Sequence, residues 1–154
     1  MKLKKTLLFI ILVVLLCASC TNNHEIKVTH EDIDDISLTL DSKSESSNGL
    51  NFVLKLQNNS RYIIKQNNVN LSFPIKIDNG TKGNDFKIES KGNKLDIHPG
   101  EELFLTVFAP MEMYEGNNNI DLDNPYIEIN GYINEVEGIM HFHKGGGYKT
   151  MEDF

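Results

Sequence analysis

His141-x-His143 is the one pair of histidines in this sequence spaced to act together. On a strand, residues two apart project from one face about 6.5–7 Å apart, and a cation could sit between them with a third ligand from a neighbouring strand. The competing expectation is plainer: Met140 and Phe142 enter the core, and the histidines occupy the wet face. Asp121-x-Asp123-Asn124 is a second cluster, either a calcium loop or a polar loop with asparagine turns. His141, His143, Asp121 and Asp123 are therefore the candidate metal ligands, for zinc or copper at the histidines and calcium at the aspartates. Segment 78–89 imitates a calcium loop but fails as one, because Gly80 and Lys82 stand where oxygen ligands are required.

Covalent chemistry has less to stand on. There is no G-x-S-x-G elbow, no P-loop and no dinucleotide fingerprint. Glycoside hydrolysis needs two carboxylates flanking a sugar in a cleft. With no Trp and five Tyr, an aromatic platform for a sugar is disfavoured. The expectation is a protein that binds rather than catalyses, with no resident cofactor.

Charge narrows the partners. The chain has 154 residues, with 15 Lys+Arg against 22 Asp+Glu and a formal charge of −7. A single Arg, Arg61, in an acidic chain excludes nucleic acid, since few counterions could be released from a phosphate backbone. Two cysteines rule out a disulfide framework and a four-cysteine zinc site.

The first 20 residues carry an address. Lys2, Lys4 and Lys5 precede an apolar run from Leu7 to Ala18, too short for a hydrocarbon core that needs about 20 residues. The run ends in Cys17-Ala18-Ser19-Cys20. Small residues before a cysteine resemble the bacterial lipoprotein signal, although Cys17 stands where that motif usually has Leu. The resemblance implies cleavage after Ser19, acylation of Cys20, and a protein held by lipid on the extracytoplasmic face of the cell membrane. Cleavage would remove three lysines and no carboxylate, leaving 12 Lys+Arg against 22 Asp+Glu and no free thiol. Such an acidic body is repelled by an anionic membrane surface, so lipid holds it close while charge keeps it off.

After the anchor, residues 20–33 read as a tether, with 25–29 as a possible short edge strand. Ordered structure follows in steps of two. Ile36, Leu38 and Leu40 alternate with polar residues, as do Leu50, Phe52, Leu54 and Leu56. Val69, Leu71, Phe73, Ile75 and Ile77 keep the same step, with Pro74 marking an edge or bulge. Shorter strands follow at Phe86–Ile88 and Leu95–Ile97, then longer ones from Glu102 to Ala109, at Ile127–Ile133 and at Ile139–Lys144. Gly131 reads as a bulge, or Asn130-Gly131 as a hairpin turn. No stretch of 11 residues keeps a helical period.

These signals predict an all-β, antiparallel sandwich of about seven to nine strands over 34–144, with 145–154 as a loose tail. The strand 50–56 closed by Asn58-Asn59-Ser60, and Leu95-x-Ile97-x-Pro99-Gly100-Glu101 before an apolar strand, resemble the immunoglobulin-like modules of bacterial lipoproteins and surface proteins. The resemblance implies an extracytoplasmic interaction module whose partner is a protein or small ligand; bacterial protease inhibitors also use this scaffold. Leu103, Leu105 and Val107 form the core face of their strand, which turns Phe104 and Phe108 outward. Two bare rings forgo roughly 1.5–3 kcal/mol each, so residues 110–120 are expected to fold back over them. Met111, Met113 and Tyr114, large and adaptable, would complete a patch with Phe104 and Phe108, serving either as core or as partner site.

Overall fold

A computed structural model describes residues 28–147. Among these, the first element is a single-turn helix, α1 (His30–Asp34). Thr29 caps it reciprocally: its hydroxyl accepts from the Asp32 N–H, and the Asp32 carboxylate accepts from the Thr29 N–H. The stretch expected to be tether thus ends in a capped turn, which a reading by hydrophobic period could not reveal in five residues.

Ten strands follow: β1 (Ile36–Ser46), β2 (Gly49–Asn58), β3 (Ile64–Ser72), β4 (Ile75–Ile77), β5 (Gly80–Lys82), β6 (Ile88–Glu89), β7 (Asp96–Ile97), β8 (Glu102–Pro110), β9 (Tyr126–Ile133) and β10 (His141–Gly147). They form a three-stranded sheet in the order β1-β2-β8 and a five-stranded sheet built on β10-β9-β3-β6, with β7 also on β3. A separate hairpin joins β4 to β5. All pairings between strands are antiparallel. The chain is all-β with a sandwich-like core, as its alternation requires: Leu38, Leu56 and Leu103 lie in register across one sheet, and Leu71 meets Ile127 across the other. Phe52 of β2 and Phe73, the residue after β3, tilt together with ring centroids 5.8 Å apart.

Two turns hold the end of this core. Asn58 is fully buried, and its amide donates to the carbonyls of Tyr62 (2.8 Å) and Ile97 (2.9 Å). Its side-chain oxygen accepts from the Ser60 N–H and hydroxyl, and its own carbonyl accepts from Gly100 N–H. The 58–60 turn and the 97–101 turn, separate signals in the sequence, are one hydrogen-bonded unit.

Three expectations change. The run Val69–Ile77 is not one strand: Pro74 has no N–H to give, so the ladder stops after Ser72. Ile75 and Ile77 leave the core for the β4–β5 hairpin, and Ile77 is exposed. Gly131 is neither bulge nor turn. It lies inside continuous β9 opposite Phe142, where a Cβ would come within 3.0 Å of that ring. The bulge is on β3, between Lys65 and Asn68, where Gln66 has φ of +49°. Finally, Gly145–Gly147 do not open a loose tail but complete β10 against Tyr126, Ile127 and Glu128.

The edge of β10 is fastened across to the other sheet. The Lys144 ammonium donates to the carbonyls of Ile33 (3.4 Å), Asp34 (3.1 Å) and Ile36 (2.9 Å). Burial pushes its pKa below the ordinary lysine value, with Asp34 and Asp35 opposing.

Candidate functional site

The outer face of β9 presents Tyr126, Glu128, Asn130 and Tyr132, because Ile127, Ile129, Gly131 and Ile133 take the core side. An outward glutamate should be wet, yet the Glu128 side chain is only 7% exposed. One carboxylate oxygen accepts from the Lys87 ammonium at 2.6 Å, and the other lies 3.4 Å from His143 Nε2. Hydrogen bonding to Glu128 raises the Lys87 pKa, outweighing the desolvation that lowers it. Gly145 stands directly opposite Glu128, and a Cβ there would sit 2.6 Å from the Tyr126 hydroxyl. The glycine therefore leaves the space that the Tyr126 side chain occupies beside Glu128.

Glu128 and Tyr126 line one side of a groove of about 390 Å³. Thr81 and Lys82 of β5, the following Gly83, and Asp85 and Lys87 also line it. Next to it opens a smaller apolar pocket of about 100 Å³, lined by Phe73, Phe86, Ile88, Met113 and Ile120. Ser72 and Asn84 border both spaces.

The segment between the two spaces explains their contrast. From Asn84 to Ile88, alternate residues (Asn84, Phe86, Ile88) line the apolar pocket, while Asp85 and Lys87 line the polar groove. The Asn84 amide donates to Phe73 carbonyl at 3.0 Å, Lys87 is held by Glu128, and Ile88 pairs with Leu71. The segment is thus pinned at both ends, with one chemical character on each side. Such a pairing of an apolar recess with a few fixed polar groups is what ligand recognition generally uses.

The residues singled out from sequence fall into separate places. His141 and His143 do share the outer face of β10, both exposed. His141 meets Tyr132 edge-on at 5.3 Å, whereas His143 meets Glu128. Asp121 and Asp123 lie in the loop before β9, away from the histidine pair's contacts. Asp121 is buried and organises that loop: its carboxylate accepts from the Asn124 amide (3.0 Å) and the Asp123 N–H (3.3 Å). The Asn124 bond chiefly holds the Asp121 pKa below the ordinary carboxylate value, against desolvation. Among the described residues no three His, Cys, Asp or Glu side chains converge as a metal-binding group.

The aromatic patch is likewise divided. Phe104 and Phe108 remain 52% and 42% exposed on the outer face of the three-stranded sheet, opposite Lys55 and Asn51. Residues 110–120 do not cover them but run to the other end of the core. There Met111–Met113 forms a 3-10 turn, Tyr114 meets Phe73 edge-on at 6.5 Å, and Ile120 bridges to Ile75. Packing against the half-open Phe73 end of the core competes better for these side chains than two rings on a flat sheet. Met113 therefore belongs with the apolar pocket, and Tyr114 with the core beside it, where burial raises its pKa. Cys20 and the signal-like segment lie outside the described residues.

Sequence reasoning missed Glu128, Lys87, Tyr126, Lys82 and Asn84. The one usable signal was the glycine triplet 145–147, which makes room on the outer face of β9 only once the register is known. No protein-family model and no curated protein matches this chain.

Proposed function

We propose that this chain is a lipid-anchored, extracytoplasmic, immunoglobulin-like binding module, without catalytic activity, whose ligand or partner docks in the groove beside Glu128. The address rests on the lysine-flanked apolar run and the small residues before Cys20. The immunoglobulin-like assignment rests on the two turn segments that carried the resemblance, now joined through Asn58 in a two-sheet core. The observation that carries the binding role is the apolar pocket opening beside a polar groove whose buried carboxylate is already neutralised by Lys87. A carboxylate engaged on both oxygens is arranged to hold a surface in place rather than to move protons.

Two experiments test this reading. Metabolic labelling with palmitate should mark wild type and not Cys20→Ser, and the mature wild-type protein should begin at Cys20 and partition into detergent. A wild-type protein that is unlabelled and freely soluble removes the anchor. Pulldown from native membranes with the intact protein should recover a partner whose retention falls in Met113→Ala and Lys82→Ala. Retention lost instead in Phe104→Ser moves the site to the other sheet.

A metal-binding reading draws on the 3.4 Å contact between His143 and Glu128, which puts two donors side by side. Lys87 already supplies a cation to that carboxylate, so a metal would have to displace it. Equilibrium dialysis against zinc, copper and calcium decides: stoichiometric micromolar binding lost in His141→Ala/His143→Ala would establish the metal reading.

A further inference from the structure

The composite groove has a chemistry of its own. Its apolar pocket, about 100 Å³, is on the scale of a single apolar side chain. Two of its walls are aromatic, Phe73 and Phe86, and a third is the adaptable Met113. Phe86 is 60% exposed, so a guest side chain would cover ring surface that water now touches.

Charges in the adjoining groove are unequal in their engagement. Glu128 is bound to Lys87, and Asp85 acts on Lys87 as well. Lys82 has no carboxylate partner among the described residues. The charged side chains lining the groove are two lysines, Lys82 and Lys87, and two carboxylates, Asp85 and Glu128, so the site is balanced within a chain whose formal charge is −7. The one lining cation that is free therefore stands two residues from Asn84, which borders the apolar pocket.

We propose that this site takes an acidic peptide segment: a leucine- or phenylalanine-sized side chain seated in the pocket, with a carboxylate one residue away at Lys82. This deepens the reading of the groove as the binding site and rests on it. The pocket selects the anchor by volume. The Lys82 ammonium selects the neighbouring charge, and Ser72 and Asn84 mark where the peptide passes from one space to the other.

The test uses the full chain in detergent and the diazirine probe N-acetyl-photoleucyl-glutamate, with N-acetyl-photoleucyl-lysine as its charge-reversed counterpart. Mass spectrometry should place the adducts of the glutamate probe on residues 84–88, 113 and 120, and unlabelled N-acetyl-leucyl-glutamate should compete. The lysine probe should label about fivefold less, as one exposed ion pair allows, and Lys82→Ala should erase that difference. Met113→Trp fills the pocket and should abolish labelling there. Phe86→Ala, at a ring already largely in water, keeps the fold and should reduce it. Equal pocket labelling by both probes would overturn the acidic-peptide proposal while leaving the groove as the binding site. Labelling that avoids the pocket with both probes, or that is indifferent to both pocket variants, would overturn the proposal and the groove reading together.

Discussion

The two sheets turn contrasting faces to solvent. Outside the three-stranded sheet, Phe104 and Phe108 lie open beside polar neighbours in register, with no segment among the described residues laid over them. Outside the five-stranded sheet, a charged residue is the buried one: Glu128 is enclosed by Lys87, His143 and Tyr126, and a strap of chain runs beside it. Alternation decides which residues point outward. It does not decide which of them end up wet. That second choice belongs to the connections: the 83–88 segment covers one face, while the 110–120 loop is drawn to the Phe73 end of the core and leaves the other bare.

The comparison can be tested from beneath. Phe52 lies under both faces, in the core with no exposure, and Phe52→Ala should cost about 3–5 kcal/mol, read from denaturant unfolding. Hydrogen exchange should then rise in both sheets; a loss confined to β1-β2-β8 would mean the layers fold as separate units. Next in size is Gly145→Ala. Its Cβ would meet the Tyr126 hydroxyl and the Glu128 Cβ, so a loss of about 1–3 kcal/mol is expected. Thr106→Ala on the open face should stay within about 0.5 kcal/mol. Equal effects at the two positions would erase the distinction between covered and open faces.

A third test concerns the charge pair. Lys87→Ala leaves the buried Glu128 carboxylate with His143 as its one ion-pair partner among the described residues, whereas Glu128→Gln leaves a lysine that can return to water. The Tm should therefore fall further in Lys87→Ala than in Glu128→Gln, and the reverse order would show that the pair is not what covers the carboxylate.

Acid should act through a different set of groups. Asp32, Glu101 and Asp121 have folded-state pKa values held below the ordinary 3.8, 4.5 and 3.8 by their hydrogen bonds to Thr29, Lys94 and Asn124 respectively. Depressed carboxylates stabilise the fold above their unfolded values, and that contribution is lost as pH falls through the folded ones. Asn124→Ala should reduce stability near neutral pH, and the gap from wild type should narrow as the medium becomes acid. A constant gap across the titration would remove Asp121 from this account. A modest effect is expected at Phe104→Ser, about 1 kcal/mol, because half of the ring is already in water.

Much of the fold was legible in the residues. Leu50, Phe52, Leu54 and Leu56 step in twos and pair with Leu103, Leu105, Val107 and Ala109 in the same rhythm, so a face of one strand found its partner. Pro74 announced an interruption and delivered it. Short pairings such as Ile88–Glu89 and Asp96–Ile97 carry too few residues for a period, and the capped turn at Thr29 rests on side-chain oxygen rather than on apolar spacing. The site was less legible still. His141 and His143 were visible because histidine is conspicuous, but Glu128 looked like any outward residue between two isoleucines. Its burial depends on Lys87, 41 positions away, and no local pattern carries that information.

The Lys144 ammonium, shared among three carbonyls near the start of the described residues, has a mechanical meaning. A pull applied ahead of Val28 reaches α1 before it reaches β1. At α1 it meets Lys144, and so β10, as well as the Asp35 carbonyl bonded to the Asn59 N–H. The load divides between the two sheets at its point of entry instead of peeling β1 from β2 one bond at a time. One ammonium serves as the splice plate of the joint, and Lys144→Met would remove the share of the tension that passes to β10.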